Sequence, residues 1–173
     1  MRIVIAAVAA ASFIGTASAA DNCAQTRMKD LTFGGDRTLT VTASSIANPT
    51  ALEGDNCRNA TVVLTVHTEG QLVAAYAAAA VYANYDFGHT EAPVPAAKLG
   101  AYLDSWIDLK MSTSDTAPAI GEGVTTGLSA EDYEAIKASK APMFCFEKSA
   151  FETSCFAPDS SGYIIEFFER EET

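Results

Sequence analysis

The central segment from Cys57 to Phe87 constrains the fold most, because after the N-terminal leader it is the most apolar part of the chain. Between Thr61 and His67 polar and apolar side chains alternate, which is the period of a β-strand with one covered face. A short polar break follows, and apolar residues resume at Leu72, so the segment predicts a β-hairpin. The second arm is predicted as strand to about Ala78. Whether Ala77–Ala83 is strand or helix stays open, because alanine favours helices and is depleted in strands.

The first 19 residues have the three parts of a secretory signal peptide. Arg2 supplies the positive charge, Ile3–Ile14 the apolar run and Ala17–Ala19 the small residues before cleavage. We therefore expect an exported protein, periplasmic or extracellular, whose residues 20–173 form a single α+β domain. The apolar run is too short to span a bilayer, and no later uncharged stretch reaches about 18 residues, so no membrane span is expected.

Four cysteines enter an oxidising compartment, and their even number predicts two disulfides. Of the three possible connectivities we favour Cys23–Cys57 and Cys145–Cys155, because both close local loops. The second pair also joins two adjacent strand-like runs. The chain has no C-x-x-C or H-x-x-x-H spacing, so a zinc site is not predicted.

Two helices are predicted in the second half of the chain. Apolar side chains recur at helical spacing from Leu99 to Ile107, which indicates an amphipathic helix over about residues 95–110. Its tryptophan, Trp106, is interpreted as a core anchor. A short helix is predicted over about residues 130–139, where Ser129 can act as the N-cap and acidic residues occupy the first turn.

Strands are predicted on both sides of these helices. They cover Leu31–Phe33 and Thr38–Thr42 near the N-terminus, and Met143–Glu147, Phe151–Phe156 and Tyr163–Arg170 near the C-terminus. Residues 84–94 and 111–127 lack periodicity and are predicted as loops or an irregular crossover. The order indicates an α+β fold, with an antiparallel sheet built from N-terminal, central and C-terminal strands and packed by the two helices.

The charge of the chain limits its partners. The formal net charge is −11, and it becomes −12 when Arg2 leaves with the leader. Nucleic acid and anionic membrane surfaces are poor partners for such a chain, whereas a basic protein would be attracted to it. The simplest alternative is that the acidity only keeps an exported protein in solution.

Several residues were considered as candidates for chemistry. Asp86, His89 and Glu91 lie within six residues, and their side chains are of types that bind divalent metals. Their spacing matches no established motif, so no metal and no cofactor is predicted. Glu166, Glu169, Glu171 and Glu172 are interpreted as a solvated acidic C-terminal end, although a pair of carboxylates could also perform glycosidase chemistry.

Ser129 follows Gly127 with the spacing of a nucleophile elbow, but the second glycine of G-x-S-x-G is missing. Helix capping explains the serine more simply. The sequence thus favours a non-enzymatic binding or interaction domain, in its most specific form for a cationic protein such as a lysozyme-like hydrolase. The alternatives are a small periplasmic hydrolase that uses carboxylates or Ser129, and a structural envelope protein.

Overall fold

The computed structural model describes residues 22–47, 56–89, 92–121 and 123–171. The predicted signal peptide and Glu91 lie outside these ranges. The strands within them are β1 Gln25–Phe33, β2 Arg37–Ile46, β3 Thr61–Thr68, β4 Gln71–Ala79, β5 Lys110–Thr113, β6 Val124–Thr125, β7 Pro142–Ser149, β8 Glu152–Pro158 and β9 Ile164–Glu171.

The α-helices in the same ranges are α1 Ala80–Ala83, α2 Tyr85–Gly88, α3 Ala96–Trp106 and α4 Ala130–Ser139, with one 3₁₀ turn at Ser114–Thr116. The longest of them, α3, has 11 residues. Within the described ranges no helix has the length and apolar character that a membrane crossing requires.

The strands form two antiparallel sheets, ordered β1-β2-β3-β4 and β5-β7-β8-β9-β6. The predicted α+β fold with antiparallel strands is confirmed, and the N-terminal and central strands are in one sheet while the C-terminal strands are in the other. The first sheet buries only one of its faces, whereas the C-terminal strands are apolar on both faces. Because both of their faces must be covered, the C-terminal strands form a second layer.

The buried apolar residues form two clusters, which lie on opposite faces of the second sheet. On one face the ring of Phe156 stacks on those of Phe144 and Phe146, and the three rings share a core with the first sheet. Phe33 of β1 meets Phe144 edge-on at 5.7 Å between ring centroids. On the other face the Cys145–Cys155 disulfide and neighbouring apolar residues pack against Tyr133 and further residues of α4.

The predicted central hairpin is present as β3–β4, and β1 and β2 form a second hairpin before it. The β3–β4 turn uses Glu69 and Gly70, whose φ angles of 51° and 78° match the two-residue turn that suits the twist of a hairpin. Strand β4 ends at Ala79 and α1 begins at Ala80. The open question of the alanine-rich arm is thereby answered, since it is strand to Ala79 and helix afterwards.

The predicted helix over 95–110 is too long, because α3 ends at Trp106. Beyond it Ile107 and Leu109 are buried while Asp108 and Lys110 are exposed, which is the period of a strand. Lys110 already pairs with Cys145 of β7. Pairing with this partner strand, far away in sequence, ends the helix.

The two predicted loops also contain regular structure. Residues 84–94 include α2, whose N-cap Asn84 accepts a hydrogen bond from the Phe87 N–H. Residues 111–127 include most of β5, the 3₁₀ turn and β6. Strand β6 has only two residues, which pair with Glu169 and Arg170 of β9.

The disulfides are Cys23–Cys57 and Cys145–Cys155, which is the favoured connectivity. The Cα atoms are 5.4 Å apart in the first and 4.1 Å apart in the second. Cys145 and Cys155 are also directly opposite each other in the β7–β8 register. The bonds therefore fix the N-terminal end of the first sheet and the central hairpin of the second.

Candidate functional site

A cavity of about 380 Å³ opens where α2, α3, β5 and β7 approach one another. Aromatic and charged side chains line it together. Those that matter for its chemistry are Tyr85, Asp86, Tyr102, Trp106, Asp108, Lys110 and Glu147. We call this space the acidic cavity.

The inner wall of the acidic cavity is aromatic. Tyr102 and Trp106 are one helical turn apart on α3, and their rings stack with centroids 5.4 Å apart. The indole Nε1 of Trp106 donates a 2.9 Å hydrogen bond to the carbonyl oxygen of Glu147. Trp106 is only 5% exposed, which confirms its interpretation as a core anchor.

The Tyr102 hydroxyl is held in its neutral form. It donates a 3.3 Å hydrogen bond to the carbonyl oxygen of Ala83. Burial raises the pKa of Tyr102, and the nearby Tyr76 and Glu147 raise it further. The phenol is therefore a hydrogen-bond donor and not a base at neutral pH.

Three carboxylates and one lysine are among the described residues that line the acidic cavity. Lys110 Nζ lies 2.6 Å from Glu147 Oε1, and Asp108 is ion-paired with Lys29 of β1. Within the described part of the chain, Asp86 has no such partner. Lys110 neutralises one of the lining carboxylates, so the lining keeps a negative charge.

Aromatic rings continue from the cavity onto the surface. Tyr85 is 47% exposed, stacks on the His89 ring at 3.7 Å between centroids and meets Phe151 edge-on at 5.8 Å. Phe151 is 56% exposed. We call Tyr85, His89 and Phe151 the aromatic rim. Exposed aromatic side chains beside a cavity are typical of the anchor residues at protein interfaces.

Of the three residues that the sequence offers as metal ligands, the structure describes Asp86 and His89. Asp86 lines the acidic cavity, whereas His89 lies in the aromatic rim, with its Nδ1 3.1 Å from the carbonyl oxygen of Tyr85. Glu91 lies outside the described residues. Across the ranges that the structure covers, no group of three or more His, Cys, Asp or Glu residues is arranged to hold a metal ion.

The acidic residues of β9 surround a lysine. Lys148 of β7 is ion-paired with Glu152 at 3.3 Å, with Glu166 at 4.0 Å and with Glu169. The Ser154 hydroxyl lies 3.3 Å from a Glu169 carboxylate oxygen. The sequence predicts Glu166 and Glu169 as part of a solvated acidic end and does not predict the cluster, because strand pairing brings Lys148 to these two glutamates.

The two β9 carboxylates have shifted pKa values. Burial raises the pKa of Glu166, and the charge of Glu169 raises it further. The hydrogen bond from Lys148 lowers the pKa of Glu169, against the effect of burial. Both carboxylates lie within ion-pair distance of the same lysine, Lys148, which is the arrangement of a charge cluster.

Ser129 caps α4, as the sequence indicated. Its hydroxyl accepts a 3.1 Å hydrogen bond from the Asp132 N–H and lies 2.6 Å from a carboxylate oxygen of the same residue. In the part of the chain that the structure describes, no histidine is a hydrogen-bond partner of this hydroxyl. The geometry of Ser129 is that of a helix cap.

Comparison of the chain with protein-family models, with curated proteins and with solved structures found no match. What the acidic cavity can bind therefore has to follow from its own chemistry.

Proposed function

We propose that this protein is an exported, non-enzymatic binding domain that captures a basic protein. In this proposal a lysine or arginine side chain of the partner enters the acidic cavity, and the aromatic rim contacts the surface around it. The two disulfides are compatible with an exported protein. The most specific form of the partner is a cationic enzyme such as a lysozyme-like hydrolase.

The observation that carries the proposal is the combination of aromatic rings and carboxylates in one concave space. A cation is attracted to the faces of tryptophan and tyrosine rings, and more strongly where water is partly excluded. Carboxylates form charge-assisted hydrogen bonds with guanidinium and ammonium groups. Tyr85 and Tyr102 supply ring surface, while Asp86 supplies charge beside it.

The charge of the whole chain acts in the same direction. A net charge of −12 after removal of the leader attracts cationic proteins over several ångströms and raises their association rate. This attraction has no fixed location, whereas the acidic cavity gives a bound partner one position. The proposal therefore requires both a salt-dependent affinity and a dependence on the residues of the cavity.

The first requirement is tested by the affinity for a cationic lysozyme-like hydrolase at 0.05 M and at 0.5 M salt, with an acidic protein of similar size as the control. We expect binding of the cationic protein that weakens strongly at the higher salt, because screening shortens the range of the attraction. Binding that does not change with salt, or no binding by any of a panel of cationic proteins, would contradict the proposal.

The second requirement is tested by removing a lysine. Lys110→Met leaves the Glu147 carboxylate without its cation, so we expect tighter binding of the basic partner. The matched control is Lys140→Met, which removes the same charge from an exposed position after α4. Equal effects of the two substitutions would show that only the net charge matters.

A further inference from the structure

A second cavity, of about 350 Å³, lies between the β3–β4 turn and the segment that joins β8 to β9. Its lining is mainly polar. The residues that matter for its chemistry are Arg37, Thr68, Glu69, Gln71, Gly162 and Tyr163. We call it the Arg37 cavity, and it shares no lining residue with the acidic cavity.

Arg37 is a partly buried cation held in place by the backbone. Its Nη1 donates a 3.0 Å hydrogen bond to the carbonyl oxygen of Gly162. Gly162 has a φ of 85°, and a Cβ at this position would lie 3.4 Å from Arg37 Nη2. The glycine therefore permits both the turn and the close approach of the guanidinium.

In the ranges that the structure describes, no Asp or Glu lies within ion-pair distance of Arg37. This is unexpected in a chain with 22 acidic and only 11 basic residues. An arginine fork that is fixed on one side and unpaired on the other is suited to a bidentate anion.

Thr68 supplies a second unsatisfied group. Its register partners are Leu39 and Gln71, which place its side chain on the same face of the first sheet as the buried Leu39. The Oγ1 atom is buried and has no hydrogen-bond partner among the described residues. Leaving such a hydroxyl unpaired costs free energy, and a ligand in the cavity recovers that cost once the Thr68 side chain rotates toward it.

We propose that the Arg37 cavity binds a sugar acid, a monosaccharide that carries one carboxylate. The carboxylate pairs with Arg37, and ring hydroxyls bond to Thr68 and to the side chains of Gln71 and Glu69. The ring of Tyr163 is 69% exposed and offers a flat apolar surface to the C–H face of the sugar. A singly charged carboxylate is preferred to a phosphate, because a second negative charge is repelled by the net charge of the chain.

The test is a titration of the full exported chain with sodium glucuronate, in which binding is measured by calorimetry and by NMR. We expect saturable binding, weaker binding of inorganic phosphate and no binding of glucose, which lacks the carboxylate. No saturable binding of glucuronate, or phosphate binding that is as tight, overturns the proposal.

Two pairs of variants locate the site. Arg37→Met should weaken glucuronate binding at least about tenfold, because a charged hydrogen bond is lost. Its matched control is Arg58→Met, since Arg58 is also partly buried and bonded to a carbonyl oxygen, that of Gly88, but lies outside this cavity. Equal losses in the two variants overturn the assignment.

Thr68→Val separates binding from folding. The substitution keeps the shape and removes the unpaired hydroxyl, so we expect the free protein to become no less stable while glucuronate affinity falls about fivefold. Thr65→Val, on the opposite face of β3, is the control and should leave the affinity unchanged. Unchanged affinity in Thr68→Val contradicts the role given to this hydroxyl.

Discussion

The indole Nε1 of Trp106 donates its hydrogen bond to the backbone of Glu147, the residue whose side chain pairs with Lys110. One contact therefore fixes α3 against β7 and also sets the position of a carboxylate of the acidic cavity. The aromatic wall and the charge of the cavity are coupled through a single residue.

We expect Trp106→Phe to destabilise the protein by about 1–3 kcal/mol, because it removes the hydrogen bond to the Glu147 carbonyl and part of a buried ring. The free energy of unfolding in urea measures this cost. Tyr163→Phe, at an exposed ring, is the control and should change stability by less than about 0.5 kcal/mol. A similar cost for both would mean that the Trp106 contact contributes little.

The two disulfides should stabilise the fold to different extents. They close loops of 34 and 10 residues, for which chain entropy gives about 3.8 and about 2.7 kcal/mol. The double variant Cys23→Ala, Cys57→Ala should therefore lose more stability in urea than Cys145→Ala, Cys155→Ala. The reverse order would contradict the entropic account.

Peptide mapping without reduction tests the connectivity itself. It should yield Cys23 linked to Cys57 and Cys145 linked to Cys155. A Cys57–Cys145 peptide would contradict the strand register, and four free thiols would contradict export to an oxidising compartment.

Ionisation of Glu166 and ionisation of Glu169 should change the free energy of unfolding in opposite directions. The raised pKa of Glu166 means that its ionisation opposes folding as pH rises above the ordinary glutamate value of about 4.3. The lowered pKa of Glu169 means that its contribution is present above that value and is lost as pH falls through the lowered pKa.

At pH 7 we expect Glu166→Gln to stabilise the protein by less than about 1 kcal/mol, since this side chain is half exposed. Glu169→Gln should destabilise it by about 1.5 kcal/mol, because Lys148 loses a charged hydrogen bond but keeps Glu152. The effect of Glu166→Gln should fade as pH falls toward about 4.3, whereas that of Glu169→Gln should fade only below about 4.3, as pH falls through the lowered pKa of Glu169. Urea unfolding at several pH values measures the stability of both variants. If both substitutions changed the free energy of unfolding in the same direction at pH 7, the result would be inconsistent with the cluster.

Ser129 offers a direct distinction between a helix cap and a nucleophile. Ser129→Ala should cost about 1 kcal/mol in the free energy of unfolding, and Ser129→Asp should retain most of the stability, because aspartate caps helices as well as serine. A hydrolytic activity that disappears in Ser129→Asp, while the protein stays folded, would establish the hydrolase alternative.

Local patterns predicted those parts of the fold in which neighbouring residues determine the structure. Helix α4 has the predicted bounds, Ala130–Ser139, because its cap lies next to it in the sequence. The register of Cys145 with Cys155 followed from two adjacent strands and a short connection. Alternation in β3 predicted its buried face for the same reason.

Contacts between distant segments explain what could not be predicted. Strand β5 forms only because it pairs with β7, and β6 has two residues whose sequence carries no periodic signal. In the acidic cavity, Lys110 meets Glu147 across 37 residues of chain. Of the two candidate metal ligands that the structure describes, Asp86 lines that cavity and His89 does not.

We expect the position of the carboxylates, and not net charge alone, to give the affinity for a basic protein. The most direct measurement compares two triple variants that lose the same three negative charges. One neutralises the acidic cavity with Asp86→Asn, Asp108→Asn and Glu147→Gln, and the other neutralises exposed carboxylates elsewhere with Asp115→Asn, Glu131→Gln and Glu134→Gln. We expect the first to weaken binding of a cationic lysozyme-like hydrolase at least about tenfold and the second by less than about threefold. Equal losses in the two variants would contradict the claim.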